Sequence, residues 1–173
     1  MTRLLLLTLG TLCILQPGCG SHSVVEPGGV KPTPASLRFG LTSYMTRDEV
    51  QQVFDGMHEK IIEDSASPPR GRCSRFDVVT LAFTDLRDLS HSGDLRVSFI
   101  NGILHSVWFY PDDYRSYVAA LNESGVTLNS RGEFTPSANV RGWTYTAYDG
   151  RQYIAWEDTR LAKEIHDWII ACS

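Results

Sequence analysis

The chain has 173 residues, of which 42% are hydrophobic, 21% charged and 10% aromatic. That is enough apolar material for one folded domain and too much for a disordered chain. Sixteen Lys and Arg against twenty Asp and Glu leave a formal charge of -4, which excludes nucleic-acid binding through a basic surplus.

The N-terminus reads as an export signal. Arg3 precedes an apolar run from Leu4 to Leu15, broken only by Thr8, Gly10 and Thr11. The run is shorter than the ~20 residues a membrane-crossing helix needs, so a secretory signal is expected over residues 1–20. Two endings fit it. Gly18 and Gly20 suit an ordinary signal peptidase, which would leave Ser21 first. Alternatively, Leu15-Gln16-Pro17-Gly18-Cys19 resembles a bacterial lipobox, whose cysteine is acylated (a palmitate-type anchor) and becomes the first mature residue. Gly18 and Cys19 fit that pattern; Gln16 and Pro17 depart from it. Gly20 after Cys19, in place of Asp, resembles outer-membrane sorting. Residues 21–35 are rich in Gly, Pro and Ser without periodicity, as a membrane tether would be. The expected location is the bacterial outer membrane or periplasm, held through lipid on Cys19, with a secreted soluble protein as the alternative.

Beyond Cys19 two cysteines are left, Cys73 and Cys172. In an oxidising compartment they are expected to pair. Closing a loop of roughly 100 residues would stabilise the fold by up to ~4 kcal/mol. Two cysteines so far apart, without a C-x2-C or H-x3-H companion, do not make a zinc site. No metal or other cofactor is expected.

Thr46-Arg47-Asp48-Glu49 is a capping box, and Val50, Val53, Phe54, Met57 and Ile61 follow at helical spacing, with Gly56 as the weak point. Residues 76–84 read as a buried strand. LRVSFI, Asn101-Gly102 and ILHSVWFY predict a hairpin on a two-residue type I′ turn, with Phe99 opposite Leu104 and Leu95 opposite Trp108. A short helix is expected from Asp112 to about Leu121. A second hairpin is expected around Asp149-Gly150, with Trp143 opposite Trp156 and Tyr145 opposite Ile154. A closing helix from about Thr159 carries the stripe Leu161, Ile165, Trp168 and Ile169, for which the Trp143/Trp156 face is the nearest partner in sequence. The fold class is α+β, a two-layer antiparallel sheet with helices packed on one face. Residues 36–125 and 126–173 are two units whose sharing of one sheet the sequence leaves open. The second alone would be marginal, so a single domain over 36–173 is expected.

Leu41-Thr42, Met45-Thr46, Glu49-Val50 and Gly56, followed by Phe99-x-Asn101-Gly102-x-Leu104-x-x-Val107, resemble the small outer-membrane assembly lipoproteins of the SmpA/OmlA type. The repeat units of secreted β-lactamase-inhibitor proteins look similar. The resemblance covers residues 38–110. It implies a non-enzymatic α+β module that docks on other proteins at the envelope. Tyr44 stands where those families usually have glycine, and Met57-His58 where they have proline.

No catalytic motif emerges. His58-Glu59 begins a zinc-protease signature, but Ile62 occupies the second histidine position. His105 is expected half-buried on the strand face of Ile103 and Val107, His91 in a loop and His166 exposed on the last helix. Serine-hydrolase and phosphate-loop patterns are absent from the sequence. The carboxylates Asp85, Asp88, Asp112, Asp113, Glu157 and Asp158 suit turn and capping roles. Aromatics gather from Trp108-Phe109-Tyr110 to Tyr114 and Tyr117, with Arg115 among them. These are residue types that protein interfaces favour and that a small domain also uses to fill its core; the surface on which to seek a partner is that of Tyr110, Tyr114, Arg115 and Tyr117. The sequence therefore points to a protein-binding or structural module with an envelope protein as partner, that surface as the contact, and membrane attachment through the N-terminal lipid. A small hydrolase using acidic residues is the alternative; a histidine against Asp or Ser would favour it.

Overall fold

The computed structural model describes residues 32–68, 73 and 75–172; the signal expected over 1–20, the expected lipid site Cys19 and the expected tether as far as residue 31 lie outside the described residues. The tether also ends earlier than expected. Ala35 is buried, and its N–H donates to Ser43 Oγ at 2.8 Å.

The capping box forms. Thr46 Oγ1 accepts the Glu49 N–H at 3.3 Å, and the Glu49 carboxylate accepts the Thr46 N–H at 2.7 Å, starting helix α1 (Arg47–Val53). The helical spacing does not carry on to Ile61. Phe54 caps α1, Gly56 takes a φ of 79°, and Glu59–Ser67 becomes strand β1, where Ile61 is 46% exposed. Arg47 pairs with Glu59 across this break. The strand owes its conformation to the ladder it makes with β2 (Phe76–Asp88), a tertiary gain that overrides local periodicity.

The remaining elements are β3 (His91–Ile100), β4 (Ile103–Pro111), α2 (Tyr114–Glu123), β5 (Glu133–Ser137), β6 (Val140–Thr146), β7 (Gln152–Asp158) and α3 (Thr159–Cys172). The described residues thus form an α+β fold, as expected, with three helices against one antiparallel sheet of order β1-β2-β3-β4-β7-β6-β5. Because β7 pairs with β4 in the middle of the sheet, residues 36–125 and 126–173 share it.

Both hairpins differ in register from the sequence reading. Asn101 and Gly102 have φ of 49° and 80°, the expected type I′ turn, and Phe99 lies opposite Leu104. One residue further on, His105 is an extra residue in β4: Ser98 faces Ser106, and Leu95 faces Phe109 rather than Trp108. In the second hairpin Asp149 stays out of the left-handed region. Its carboxylate accepts the Arg151 N–H at 3.0 Å, and only Gly150 has positive φ, 81°. The loop is consequently three residues long, closed by the Ala147 N–H on the Arg151 carbonyl at 2.8 Å. Trp143 then faces Ala155 and Tyr145 faces Tyr153, which separates Trp143 from Trp156 onto opposite sides of the sheet.

One side holds the main core. Leu81, Leu95, Val97, Phe99, Val107, Phe109, Ile154 and Trp156 are covered by residues 35–45, by Val50 and Phe54, and by Tyr117 and Leu121 of α2. Gly142 admits the Phe134 ring here, since a Cβ would stand 2.1 Å from it; Phe134 meets Trp156 edge-on at 5.9 Å. The third helix goes elsewhere. Trp168 stacks on Phe76 at 4.5 Å, and alternation along β2 puts Phe76 with Val78 and Thr80, on the side away from Leu81. The Trp143/Trp156 face expected for α3 does not exist, because the two rings lie on opposite sides. The far end of α3 is tied down by the expected Cys73–Cys172 disulfide, Cα–Cα 5.9 Å. No helix of the described residues is long and apolar enough to cross a membrane.

A Cys73→Ser/Cys172→Ser chain should lose up to ~4 kcal/mol in urea unfolding. Hydrogen exchange should show α3 losing protection before the sheet does. Unchanged exchange over 159–172 would mean that helix packing alone holds the C-terminus.

Candidate functional site

The side of the sheet opposite the main core is organised in rows across the strands. The first row is Tyr145, Tyr153, Tyr110 and Asp94, on β6, β7, β4 and β3. The second is Trp143, Ala155, Trp108, Arg96, Ala82 and Lys60, running from β6 to β1. The third is Arg141, Glu157, Ser106, Ser98, Thr80 and Glu63. The third row lies closest to α3, which leaves the end of β7 and reaches Phe76 at the start of β2. Its members from Glu157 to Thr80 are buried, whereas the second row stays partly open and Tyr145 of the first is 60% exposed.

The first two rows form a connected aromatic and guanidinium surface. The Tyr110 and Tyr145 rings each contact Tyr153, at 4.9 and 5.8 Å, and Trp108 reaches the same ring at 6.0 Å. Arg96 lies 4.3 Å and Arg151 4.9 Å from the Tyr110 centroid, while Arg141 lies 5.2 Å from that of Trp143. Such contacts contribute ~0.5–2 kcal/mol each, depending on desolvation. Burial raises the Tyr110 phenol above its ordinary value against the opposing pull of Arg96 and Arg151. Beyond Tyr110 the surface opens into a cleft of about 640 Å³ lined by Asp94, Tyr110, Tyr114, Arg115, Arg151 and Gln152, where β4 passes into α2 beside the β6–β7 turn. Arg151 bridges Asp94 and Asp149 at its rim, at 3.0 and 2.9 Å.

The four residues of the sequence-derived surface are divided by the fold. Tyr114 and Arg115 line the cleft, and Tyr110 offers it a ring edge, being only 5% exposed. Tyr117 is wholly buried, so its assignment to a surface is corrected. Helical spacing turns it onto Phe109, 5.0 Å away, and its hydroxyl donates to Asp88. Burial raises the Tyr117 phenol above its ordinary value, and the bond to Asp88 adds to this. Arg38 also grips Asp88 through Nε and Nη2, at 2.8 and 2.9 Å. Arg96, Trp143, Tyr145, Arg151 and Tyr153 are the surface residues sequence reasoning did not assign, and Trp108 stood among the gathered aromatics without a face. Their common face becomes legible only when both hairpin registers are known.

His105 sits against two serines in the third row. Its Nε2 lies 3.1 Å from Ser98 Oγ and 3.4 Å from Ser106 Oγ; Glu157 Oε1 is 3.8 Å from Nδ1. Serine, histidine and carboxylate in this order can perform acyl transfer, the histidine taking the hydroxyl proton while the carboxylate orients it. Here Ser106 is 0% and Ser98 3% exposed, so neither hydroxyl meets a substrate carbonyl in this conformation. The 3.8 Å gap is too long for a hydrogen bond, and Nδ1 has no partner among the described residues. Glu157 is engaged by Arg141 at 2.7 Å, and burial raises its carboxyl above the ordinary value despite that pairing. Burial holds His105 neutral, with a pKa down at about 4. Among the described residues no group of three or more His, Cys, Asp and Glu could hold a metal ion.

Urea unfolding should separate the tyrosines: Tyr117→Ala should cost ~3–5 kcal/mol and Tyr117→Phe ~1–3 kcal/mol, while Tyr114→Ala stays under ~2 kcal/mol. A Tyr117→Ala loss no larger than that of Tyr114→Ala would refute the core assignment. His105 has a signature in pH. Its folded pKa lies below its ordinary 6.5, so the unfolded chain binds more protons between about 4 and 6.5. Its contribution, ~3 kcal/mol, is complete above pH 6.5 and is lost as pH falls toward 4. His105→Gln should flatten that part of the stability profile, Glu157 being common to both chains. Parallel profiles would show that His105 titrates normally.

No protein-family model matches the chain, and no curated protein matches it either.

Proposed function

We propose that this chain is an exported, lipid-anchored binding module of the bacterial envelope. It is non-enzymatic, and its contact surface is the open part of the sheet, rows one and two, with the adjoining cleft. The observation that carries the reading is the aromatic and arginine surface from Tyr145 to Arg96, left open while α1, α2 and the N-terminal segment cover the other face and α3 reaches only one end of this one. Tyrosine, tryptophan and arginine are the residues most often found to dominate binding energy. Rings already packed on one another and on guanidinium groups lose little freedom when a partner arrives. The resemblance of residues 38–110 to SmpA/OmlA-type lipoproteins agrees with this reading, as does Gly18-Cys19 after the apolar run.

One observation favours a second reading. Ser106, His105 and Glu157 follow one another in the order a small hydrolase uses. Such an enzyme would need Glu157 drawn into hydrogen-bond reach of His105 and the cover over both serines opened before a substrate could enter. Covalent labelling of Ser98 or Ser106 by a fluorophosphonate would turn the assignment toward that enzyme.

A photo-crosslinking p-benzoylphenylalanine at Tyr145, in the native membrane fraction, should give a discrete adduct with a partner, and the same group at Lys163 on α3 should give none. Absence of an adduct at Tyr145 would remove the binding role from this face. Mass spectrometry of the mature N-terminus should find an acylated Cys19. An unmodified peptide beginning at Ser21 would end the anchor assignment and leave export standing.

A further inference from the structure

We infer that the open sheet face docks an acidic, extended segment of a partner polypeptide, an inference that rests on the binding role proposed above. The second row alternates large and small side chains. Ala155 lies between Trp143 and Trp108, and Ala82 lies between Arg96 and Lys60. The row therefore has an apolar station walled by indoles and a cationic station walled by a guanidinium and an ammonium. In a chain of net charge -4, Arg96 and Lys60 make no ion pair among the described residues, whereas Arg141 and Arg151 are each held by a carboxylate. A partner that brings carboxylates to Arg96 and Lys60 supplies the charge this row lacks.

Spacing defines the segment. Ala155 on β7 and Ala82 on β2 are three strand intervals apart, about 14 Å at ~4.8 Å each. An extended chain covers that distance in about four residues, an even number, so both side chains point to the same side. The fitting element is a strand crossing the sheet with an apolar residue over the indoles and an acidic one about four positions away. A nucleic acid carries a phosphate at every step and would set several of them against Asp94, Glu63 and Asp149, whereas a polypeptide can confine its carboxylates to the station between Arg96 and Lys60. An acidic polysaccharide, which could lay sugar C–H faces on Trp108 and Trp143, is distinguished by competition.

The probe is a fluorescein-labelled dodecapeptide with leucine at its third position and glutamate at its fifth and seventh, in a Ser/Thr background. Its control has glutamine in place of both glutamates. By fluorescence anisotropy with the intact protein, the acidic peptide should bind at least about tenfold more tightly than the control and weaken as salt rises. An Arg96→Gln/Lys60→Gln chain of unchanged melting temperature should lose that preference. Trp108→Ala should weaken both peptides. Equal binding of the two peptides would overturn the inference, as would a preference that survives the double substitution. Polygalacturonate or oligothymidylate outcompeting the peptide would assign the face to another polymer and equally overturn it. Binding of neither peptide, with the Tyr145 adduct still formed, would sink the acidic partner alone; loss of that adduct as well would sink the binding role with it.

Discussion

One extra residue in β4 decides which side of the sheet every later side chain takes. With His105 bulged out of the ladder, Val107 and Phe109 point at the helices, while Trp108 and Tyr110 point away. In a regular hairpin the pattern would invert, driving the Trp108 indole toward Leu95 and leaving Phe109 on the outer side. The bulge thus assigns Phe109 to the Tyr117 contact and builds the row from Trp143 to Arg96 in the same step. It also turns His105 to the side that carries Ser98 and Ser106, where both hydroxyls meet its Nε2. A bulge costs ladder regularity, and here it produces both the packed core and the aromatic face.

Two carboxylates then fix the segments that cover the core. Asp158, wholly buried, accepts the Ser43 hydroxyl at 2.7 Å and the Arg160 guanidinium at 2.6 Å, as well as the Arg160 N–H at the start of α3. Burial pushes its carboxyl up, but the Arg160 and Ser43 bonds outweigh this and leave it below its ordinary value. Asp88 does similar work at the opposite end. It holds Arg38 from the N-terminal segment and Tyr117 from α2, beside a turn in which Leu89 and Ser90 both have positive φ. A leucine at φ of 47° is strained, and such a conformation persists where neighbours over-determine it; Asp88 on one flank and the core packing of Leu89 itself do so here.

Local chemistry was legible in the sequence, and pairing was not. The capping box at Thr46, the Asn101-Gly102 turn and the final helix all follow from contacts within a few residues. The Cys73–Cys172 bond was expected from the number of cysteines together with the export reading, and the bond is there. Nothing in ILHSVWFY marks His105 as extra, because a bulge is chosen by how two strands and their neighbours fit. Asp149-Gly150 misleads for a different reason: the Asp149 side chain caps the Arg151 N–H and holds its own backbone out of the left-handed region that a type I′ turn requires. These two one-residue differences account for most of what was not foreseen about the site, since each moves a tryptophan across the sheet. Tyr117 was misplaced because an aromatic at helical spacing looks the same whether its stripe faces solvent or Phe109. β1 was missed because its ordering comes from β2.

The geometry also limits how a partner could engage this fold. A sheet can be recognised along its edges or across a face, and both edges are discouraging. The β5 edge is five residues long and contains Pro136. The β1 edge is bulged between Ile61 and Glu63 and carries Glu59, Lys60, Glu63 and Asp64. Charge, bulge and proline are the devices by which natural sheets refuse an added strand. One face is sealed by α1, α2 and the N-terminal segment, and α3, held by its disulfide, closes one end of the other. What is left is the strip from Trp143 to Lys60 and the cleft at Tyr114. Recognition there would run through side chains laid across the strands rather than through backbone pairing. That is why the identities at Trp108, Trp143, Arg96 and Lys60, more than strand propensity, would set the choice of partner.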